Sequence, residues 1–424
     1  MKLDLGSFFL LFLFLIIYDH GLCQNNVVDI KTRKFKAFQN VSVLPMDRRK
    51  LLENQTVLVE EDRIVAIGQV GLIDIPDSAY IVDGTDKVLL PGLVDSHIHL
   101  RHADTTGLVS YLEAGITTAR EMNGRPFLLD WRKRIKEGSL LGPTLYVASP
   151  TIGNFSSPRE GYPTPTTAAQ ADSTIRRFVQ QGYDWIKVYS FVPGDIFSAI
   201  IDAANKYGIP VGGHPPIEVS FEESLRMNSI EHLLGYLEPI MTDEARRLDE
   251  EDLRGVFHAV NFEKERLPDL AQRTKLAGVW NCPTVLFFDH RVPTERVRKA
   301  WEKTELRKLG HNNRLAIVQA LHEAGAKLVV GTDSDAGDDL PAEAIHEEMA
   351  NMVDAGLTPY EVLVAATKGA AEFLNGQSEF GTVSVGKRAD LLMVNCNPLE
   401  DISCLKQRIA VMSRGNLILF ENRD

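Results

Sequence analysis

Two histidines separated by a single residue, His97 and His99, end the apolar segment Lys87–Leu100. The Val and Leu of this segment predict a buried β-strand. Residues i and i+2 of a strand point to the same side, so both imidazoles would face one space. Neutral imidazole is a preferred ligand of zinc and similar divalent metals. Taken alone, the pair fits either a metal site or two polar residues at a strand end.

Four more polar residues fall within or at the ends of later predicted strands: Lys187, His214, His232 and Asp333. Each has an ordinary structural interpretation. Lys187 fits a strand edge, and His214 fits a loop. His232 fits a hydrogen-bonded core position, and Asp333 fits a helix N-cap. Because all four share the strand-end position of the histidine pair, we expect the six side chains to converge on one site.

Lys187 lies in the apolar segment WIKVY, and a charged side chain in such a strand calls for a chemical explanation. A buried lysine is costly unless it is neutralised or paired. Carbamylation by carbon dioxide would turn its amine into a carboxylate that can bridge two cations. The position therefore favours a role for Lys187 in a two-metal site.

Short apolar strands alternate with helix-like segments from Lys87 onward, which predicts βα units and a parallel sheet. Eight strands can be placed, at residues 88–97, 115–120, 144–149, 184–189, 210–214, 229–233, 279–284 and 327–333. Eight such units predict a (β/α)₈ barrel, whose active site lies at the carboxyl ends of the strands. Long segments after strands three and six, 150–167 and 241–274, would then begin at that mouth.

The two ends of the chain have a different pattern, with short alternating runs separated by turn residues. We expect residues 24–86 and 381–424 to form one small composite β-sandwich, with the barrel spanning residues 87–380. Residues 1–23 stand apart as a signal peptide.

The first 23 residues combine Lys2 with the apolar segment Phe8–Ile17. An apolar run of this length is short for a bilayer and fits a secretory signal. Small residues at Gly21 and Cys23 suit a signal peptidase. The sequence therefore predicts a secreted or periplasmic protein with no membrane contact after cleavage, and an uncleaved anchor is the alternative.

The net charge and the cysteine count limit the class of protein and the possible disulfides. A net charge of -12 and the lack of a basic run argue against a nucleic-acid-binding protein. After signal cleavage, Cys282, Cys396 and Cys404 remain, an odd number. Cys396 and Cys404 could pair in an oxidising compartment, but the interpretation as small apolar fillers is favoured. Nothing in the sequence indicates an oligomeric state.

Several motifs together resemble the amidohydrolase superfamily. They are PGLVDSHIHL, WIKVY, the strand-end His214 and His232, GTDSDAG, and the tail that begins AGLTPYEVLVAATKG and continues through GTVSVGKRADLLMVN. The likeness is greatest to imidazolonepropionase-like amidohydrolases and to prolidase-type relatives that use a carboxylated lysine. It covers nearly the whole mature chain and implies a (β/α)₈ barrel with a composite β-sandwich.

The resemblance implies a role for each of the six residues. His97 and His99 would bind the more buried metal with Asp333, and His214 and His232 would bind the second. Carboxylated Lys187 would bridge two divalent ions, for which zinc suits the ligands best. A hydroxide shared by the ions would be the nucleophile, with Asp333 as general base and then acid.

The expected substrate is a small-molecule amide such as a dipeptide or an N-acyl amino acid. Three alternatives stay open: a mononuclear deaminase or cyclic-amidine hydrolase, a metal-free scaffold, and a lactone or phosphotriester hydrolase. The first usually has a His-x-x-Glu after strand five, whereas Pro215, Pro216 and Ile217 follow His214. Four residues are weaker candidates for contacts at the pocket: Arg101, Tyr189, Tyr236 and His346.

Overall fold

The computed structural model describes residues 33–101, 104–153, 161–240, 242, 263–286, 304–335 and 341–420. The predicted signal peptide, residues 1–23, lies outside the described residues. Within the described part, none of the helices combines the length and the apolar character needed to cross a membrane.

Sixteen strands are formed by the described residues. They are β1 (Phe35–Val43), β2 (Leu52–Glu60), β3 (Arg63–Gln69), β4 (Tyr80–Asp83), β5 (Val88–Pro91), β6 (Leu93–Ile98), β7 (Ile116–Glu121), β8 (Thr144–Val147), β9 (Ile186–Val188), β10 (Val211–Gly213), β11 (Ser229–Glu231), β12 (Trp280–Cys282), β13 (Lys327–Leu328), β14 (Leu391–Val394), β15 (Arg408–Ser413) and β16 (Asn416–Leu419). All eight predicted barrel strands overlap with strands β6 to β13.

Eleven α-helices are described alongside them. They are α1 (Gly107–Glu113), α2 (Pro126–Lys136), α3 (Ala168–Gln181), α4 (Gly194–Tyr207), α5 (Phe221–Ser224), α6 (Leu237–Ile240), α7 (Leu267–Ala277), α8 (Thr304–Ala324), α9 (Ala344–Asp354), α10 (Pro359–Ala366) and α11 (Lys368–Phe373). Local sequence sets their ends. The Thr167 side chain caps α3, which stops at Gly182 with a left-handed φ of 85°.

Strands β6 to β13 form the barrel. Two parallel sheets, β6-β7-β8 and β9-β10-β11-β12-β13, follow chain order. Parallel bridges between Ala148 and Trp185 and between Ile98 and Ser334 join them at both seams. The amide of Ser96 also donates to the carbonyl of Val330 at 2.9 Å. The eight strands therefore close on one another, and their carboxyl ends form one rim.

The remaining strands form a mixed sheet from both chain ends, in the order β16-β15-β14-β5-β1-β2-β3, with β4 paired to β1. Register shifts in β1 between Phe38 and Val43 allow it to pair with β4 and then with β5 along one edge. Apolar residues from both halves of the sheet, including Phe38, Leu89 and Met412, pack in one buried cluster. This is the composite β-sandwich that the sequence predicts.

The strand predicted over residues 88–97 is two strands. Val88–Pro91 pairs with β14 in the sandwich, whereas Leu93–Ile98 pairs with β7 in the barrel. The chain changes sheets at Gly92, where an added Cβ would lie 2.2 Å from Thr117 Oγ1. A glycine is needed here because the barrel strand approaches so closely.

Cys396 and Cys404 form a disulfide with a Cα–Cα distance of 5.7 Å. The interpretation of these residues as apolar fillers is therefore wrong. Cys282 is a buried free thiol.

Candidate metal centre

The structure brings the six predicted ligands to one end of the barrel. His97 lies on β6, and Lys187 lies on β9. The other four directly follow a strand or lie within a few residues of its end: His99, His214, His232 and Asp333. Parallel strands present their carboxyl ends at the same rim, which explains why residues so distant in sequence meet.

The first group contains His97, His99 and Asp333. Asp333 Oδ1 lies 2.9 Å from His99 Nε2 and 3.5 Å from His97 Nε2. One donor atom from each of the three residues lies within 4.8 Å of the others, close enough to hold one ion. This is the trio that, by the family resemblance, would bind the more buried metal.

The second histidine pair is next to the first group. The ring of His232 lies 4.6 Å from the ring of His97 and 4.8 Å from that of His214. His232 Nδ1 contacts Thr284 Oγ1 at 2.6 Å, and His214 Nδ1 contacts Ser190 Oγ at 3.2 Å. These hydroxyls fix the orientation of both rings.

Lys187 is 2% exposed, and its Nζ makes no hydrogen bond within the part of the chain that the structure describes. Burial lowers the pKa of this amine to about 8. At Gly213, an added Cβ would lie 2.2 Å from the Val188 carbonyl and 3.0 Å from Lys187 Cδ. The absence of a side chain on β10 therefore makes room for the lysine.

The backbone is left-handed at three positions of the site, with φ of 63° at His232, 45° at Thr284 and 60° at Asp333. Residues with a Cβ adopt this conformation rarely and at a cost. Two of these residues are predicted ligands, and the third bonds to one of them. The strand ends are therefore held in a strained form that directs these side chains into the site.

Glu231 and Arg120 are site residues that the sequence interpretation missed. Glu231 Oε2 lies 2.8 Å from His97 Nδ1, and Arg120 Nη2 donates to Glu231 Oε1 at 2.7 Å. Burial acts to raise the pKa of the Glu231 carboxyl, but Arg120, His97 and Lys187 together outweigh it and hold that pKa well below its usual range. The only available sequence signal was a charged residue inside each of the short strands GITTAR and SIEHL.

Two further carboxylates support the backbone around the ligands. Asp95 Oδ1 accepts the amides of His97 and Thr332, each at 3.1 Å. Glu121 accepts the amides of Leu100 and Asn123 and lies 3.5 Å from His99 Nδ1. The segment that carries the histidine pair is thus fixed from both sides.

The four weaker candidates for contacts at the pocket lie in different surroundings. The ring of Tyr189 lies 4.2 Å from that of His214, beside the site. Tyr236 is buried, and its hydroxyl donates to Asn281 Oδ1 at 2.5 Å, so it packs in the interior. Arg101 is exposed and lies 3.7 Å from Asp335. His346 bonds through Nε2 to Arg408 Nη1.

The donor set fits divalent cations. Imidazole nitrogens and a carboxylate suit such ions, and the His97 Nε2 atom is buried without a hydrogen bond in the described part of the chain. A buried polar atom without a partner is uncommon in native proteins. Together with the bare Lys187 Nζ, it indicates a site built for a ligand. Metal binding by these particular residues stays a prediction.

Known proteins resemble the chain in sequence and in fold. An imidazolonepropionase of Fusobacterium nucleatum is 23% identical over an alignment 422 positions long, which covers 89% of this chain and 91% of the relative. A 5-methylthioadenosine/S-adenosylhomocysteine deaminase of Caldanaerobacter subterraneus is 23% identical over an alignment 391 positions long, which covers 85% of this chain and 84% of the relative. The solved structure of a Xaa-Pro dipeptidase with bound methionine in the active site has a TM-score of 0.70 at 20% identity, covering 92% of this chain and all of that one (100%).

These likenesses confirm the barrel with its β-sandwich, and the family match gives the reaction class. Residues 88–418 match the profile of the Amidohydrolase family. The match extends from β5 into β16, so it includes every barrel strand and all six predicted ligands. The chain belongs to the amidohydrolase family and is a hydrolase that acts on carbon–nitrogen bonds.

Proposed function

We propose that this chain is an exported binuclear amidohydrolase that cleaves the amide bond of a dipeptide or an N-acyl amino acid. The observation that carries the proposal is Lys187, a buried amine at the histidine-rich end of the barrel that makes no hydrogen bond to the residues that the structure describes. A single-metal site has no use for such a lysine. Its burial is costly unless the charge is removed or paired.

Carbamylation of Lys187 would remove that cost. A bond forms between Nζ and the carbon of carbon dioxide, and one proton leaves to water. The amine becomes a carboxylate with oxygens that can serve two cations. His97, His99 and Asp333 would hold one ion, and His214 and His232 the other, with zinc best suited to these ligands. Bound ions of this kind activate water and polarise a carbonyl.

Asp333 would move the proton. Burial acts to raise its pKa, but His99 and then His97 outweigh this and hold it well below the usual range. Its carboxylate is therefore ionised and can accept a proton from the attacking water. It would then release that proton to the leaving nitrogen, as a general base followed by a general acid.

The amide substrate is supported by the likeness to the Xaa-Pro dipeptidase structure. The relatives named as 5-methylthioadenosine/S-adenosylhomocysteine deaminase favour a second candidate, a deaminase acting on an amino-substituted purine nucleoside. Against it, the residues after His214 are Pro215, Pro216 and Ile217, which offer no carboxylate at the position where such deaminases have one.

Export is supported by the disulfide between Cys396 and Cys404 and by the apolar segment Phe8–Ile17. Disulfides persist in oxidising compartments and are rare in the cytosol. The cell fraction that contains the mature protein, together with its N-terminal residue, tests this part of the proposal.

The central test is metal content by elemental analysis, paired with intact mass and a substrate screen. Two metals per chain, a carbon dioxide adduct and turnover of dipeptides or N-acyl amino acids are expected. One metal per chain with turnover of purine nucleosides alone would replace the proposal with the deaminase. A protein that binds no metal after reconstitution would exclude both.

A further inference from the structure

We propose that Arg120 and Glu231 are positioning residues that fix the tautomer and the orientation of the His97 ring from inside the barrel. The inference depends on the proposed metal site and extends it to a pair of residues behind the ligands. Neither residue is among the six predicted ligands.

The tautomer argument starts from Glu231. Its Oε2 lies 2.8 Å from His97 Nδ1, and both side chains are 0% exposed. An ionised carboxylate only accepts hydrogen bonds, so Nδ1 of a neutral ring must carry the hydrogen. Nε2 then presents its lone pair. This is the same His97 atom that makes no hydrogen bond in the described part of the chain.

Arg120 connects Glu231 to the strand that carries His97. Its Nη2 donates to Glu231 Oε1 at 2.7 Å, and its Nε donates to the Ser96 carbonyl at 2.6 Å. Its Nη1 donates to Ser229 Oγ at 3.2 Å. One guanidinium on β7 therefore joins β6, immediately before His97, to β11, immediately before His232. A lysine lacks the planar guanidinium, so its single ammonium group would not reach all three of these acceptors.

The guanidinium is held in place by its surroundings. Its central carbon lies 4.7 Å from the ring of Trp185 and 4.5 Å from that of Phe373. At Gly212, an added Cβ would lie 3.2 Å from Arg120 Nη1 and 2.5 Å from Ser229 Oγ. The barrel interior is therefore shaped around one orientation of Arg120.

Fold stability alone does not account for this pair. A buried ion pair contributes little more than an apolar pair of the same volume, because both charges must be desolvated. Arg388 and Asp390 provide a matched comparison within the chain. They are also buried and paired, with Arg388 Nε donating to Asp390 Oδ2 at 2.6 Å, but their hydrogen bonds reach no predicted ligand.

The test compares Glu231→Gln with Asp390→Asn in the full mature chain. The metal dissociation constant, measured by competition of zinc between the protein and a chelator, should rise about 10- to 100-fold in Glu231→Gln. In the metal-free protein, the ¹⁵N shifts of His97 should change from the Nδ1–H form to a mixture. Asp390→Asn should lower the thermal midpoint and leave both readouts as in the wild type.

Arg120→Lys supplies the second variant, which keeps a positive charge beside Glu231. It should fold and bind zinc more weakly than the wild type, but less so than Glu231→Gln. Wild-type zinc affinity and an unchanged His97 tautomer in both variants would overturn the positioning role. An equal loss of zinc affinity in Asp390→Asn would also overturn it. If the wild-type protein bound no zinc, the proposed function itself would be contradicted.

Discussion

The two ends of the barrel differ in how their titratable and amide side chains are paired. At the carboxyl end, the buried His97 Nε2 and Lys187 Nζ make no hydrogen bond in the described residues. Near the amino ends of the strands, Asp184 accepts from Arg132 Nη1 at 2.5 Å and from the Val147 amide at 2.8 Å. Asn228 Oδ1 accepts the Val211 amide at 2.8 Å.

This difference separates function from stability within one sheet. At the amino end, Asp184 is partly buried and Asn228 is exposed, and both are paired, so these two groups need no ligand to explain them. At the carboxyl end, buried polar atoms are left without a hydrogen bond in the described residues. They cost stability until a ligand binds them. Substitutions at the two ends should therefore have different consequences, and three of them, with a fourth on the outer helices, test the contrast.

The largest effect is expected from Asp333→Asn at the carboxyl end. The amide has almost the same shape but cannot take up the proton, so kcat should fall by about 10²- to 10⁴-fold while the fold is retained. Steady-state kinetics beside circular dichroism measures both quantities. An unchanged kcat would remove Asp333 from the proton transfer.

Lys187→Met should abolish most of the activity and the binding of the second metal. The metal-free protein should unfold at the same temperature or higher, because the substitution removes a buried amine that makes no hydrogen bond to the described residues. Elemental analysis and thermal unfolding after chelation give the two readouts. A variant that keeps two metals and full turnover would show that the lysine is no bridge.

Asp184→Ala tests the amino end. It should lower the free energy of unfolding by about 1 to 2 kcal/mol, because the Val147 amide and Arg132 lose their acceptor. The kcat should match the wild type, since no predicted ligand contacts Asp184. Urea unfolding and kinetics on the same preparation separate the two. A large fall in kcat without a change in stability would show that the amino end also serves catalysis, against the proposed difference between the two ends.

The smallest effect is expected on the outer helices, where Lys206 donates to Asp172 Oδ1 at 2.6 Å. This hydrogen bond, and a second from Tyr207, lower the pKa of Asp172 below 3.8. A carboxylate with a lowered folded-state pKa stabilises the fold above its unfolded pKa, and this contribution is lost as the pH falls through the folded value.

Lys206→Met should therefore be slightly less stable than the wild type at neutral pH, and the difference should shrink well below pH 3.8. Urea unfolding at both pH values is the measurement. A difference that is constant with pH would assign the effect to packing instead. Both residues are largely exposed, so the effect should be smaller than that of Asp184→Ala.

The sequence predicted the barrel and the meeting of six residues because the barrel strands are local apolar runs, and five of them carry a predicted ligand within the strand or near its end. Arg120 and Glu231 were missed because their importance comes from contacts between strands one, two and six. Such contacts leave no local pattern. An arginine at the end of GITTAR resembles any residue that leaves a strand for solvent, yet it is 0% exposed.

The change of sheets at Gly92 was hidden for a similar reason. Val88–Pro91 and Leu93–Ile98 form one continuous apolar run, and periodicity does not reveal which partner each half has. The disulfide likewise depends on a turn that brings the Cα atoms of Cys396 and Cys404 to 5.7 Å. Sequence spacing alone does not give that distance.

The position of Val88–Pro91 between β1 and β14 also constrains how the chain is made. During synthesis, this strand leaves the ribosome long before its partner Leu391–Val394, and the whole barrel is made in between. Until then, its edge is open to pairing with other chains. The newly made protein should therefore depend on chaperones until its last strands are complete, and losing those strands should cause aggregation rather than yield a smaller active enzyme.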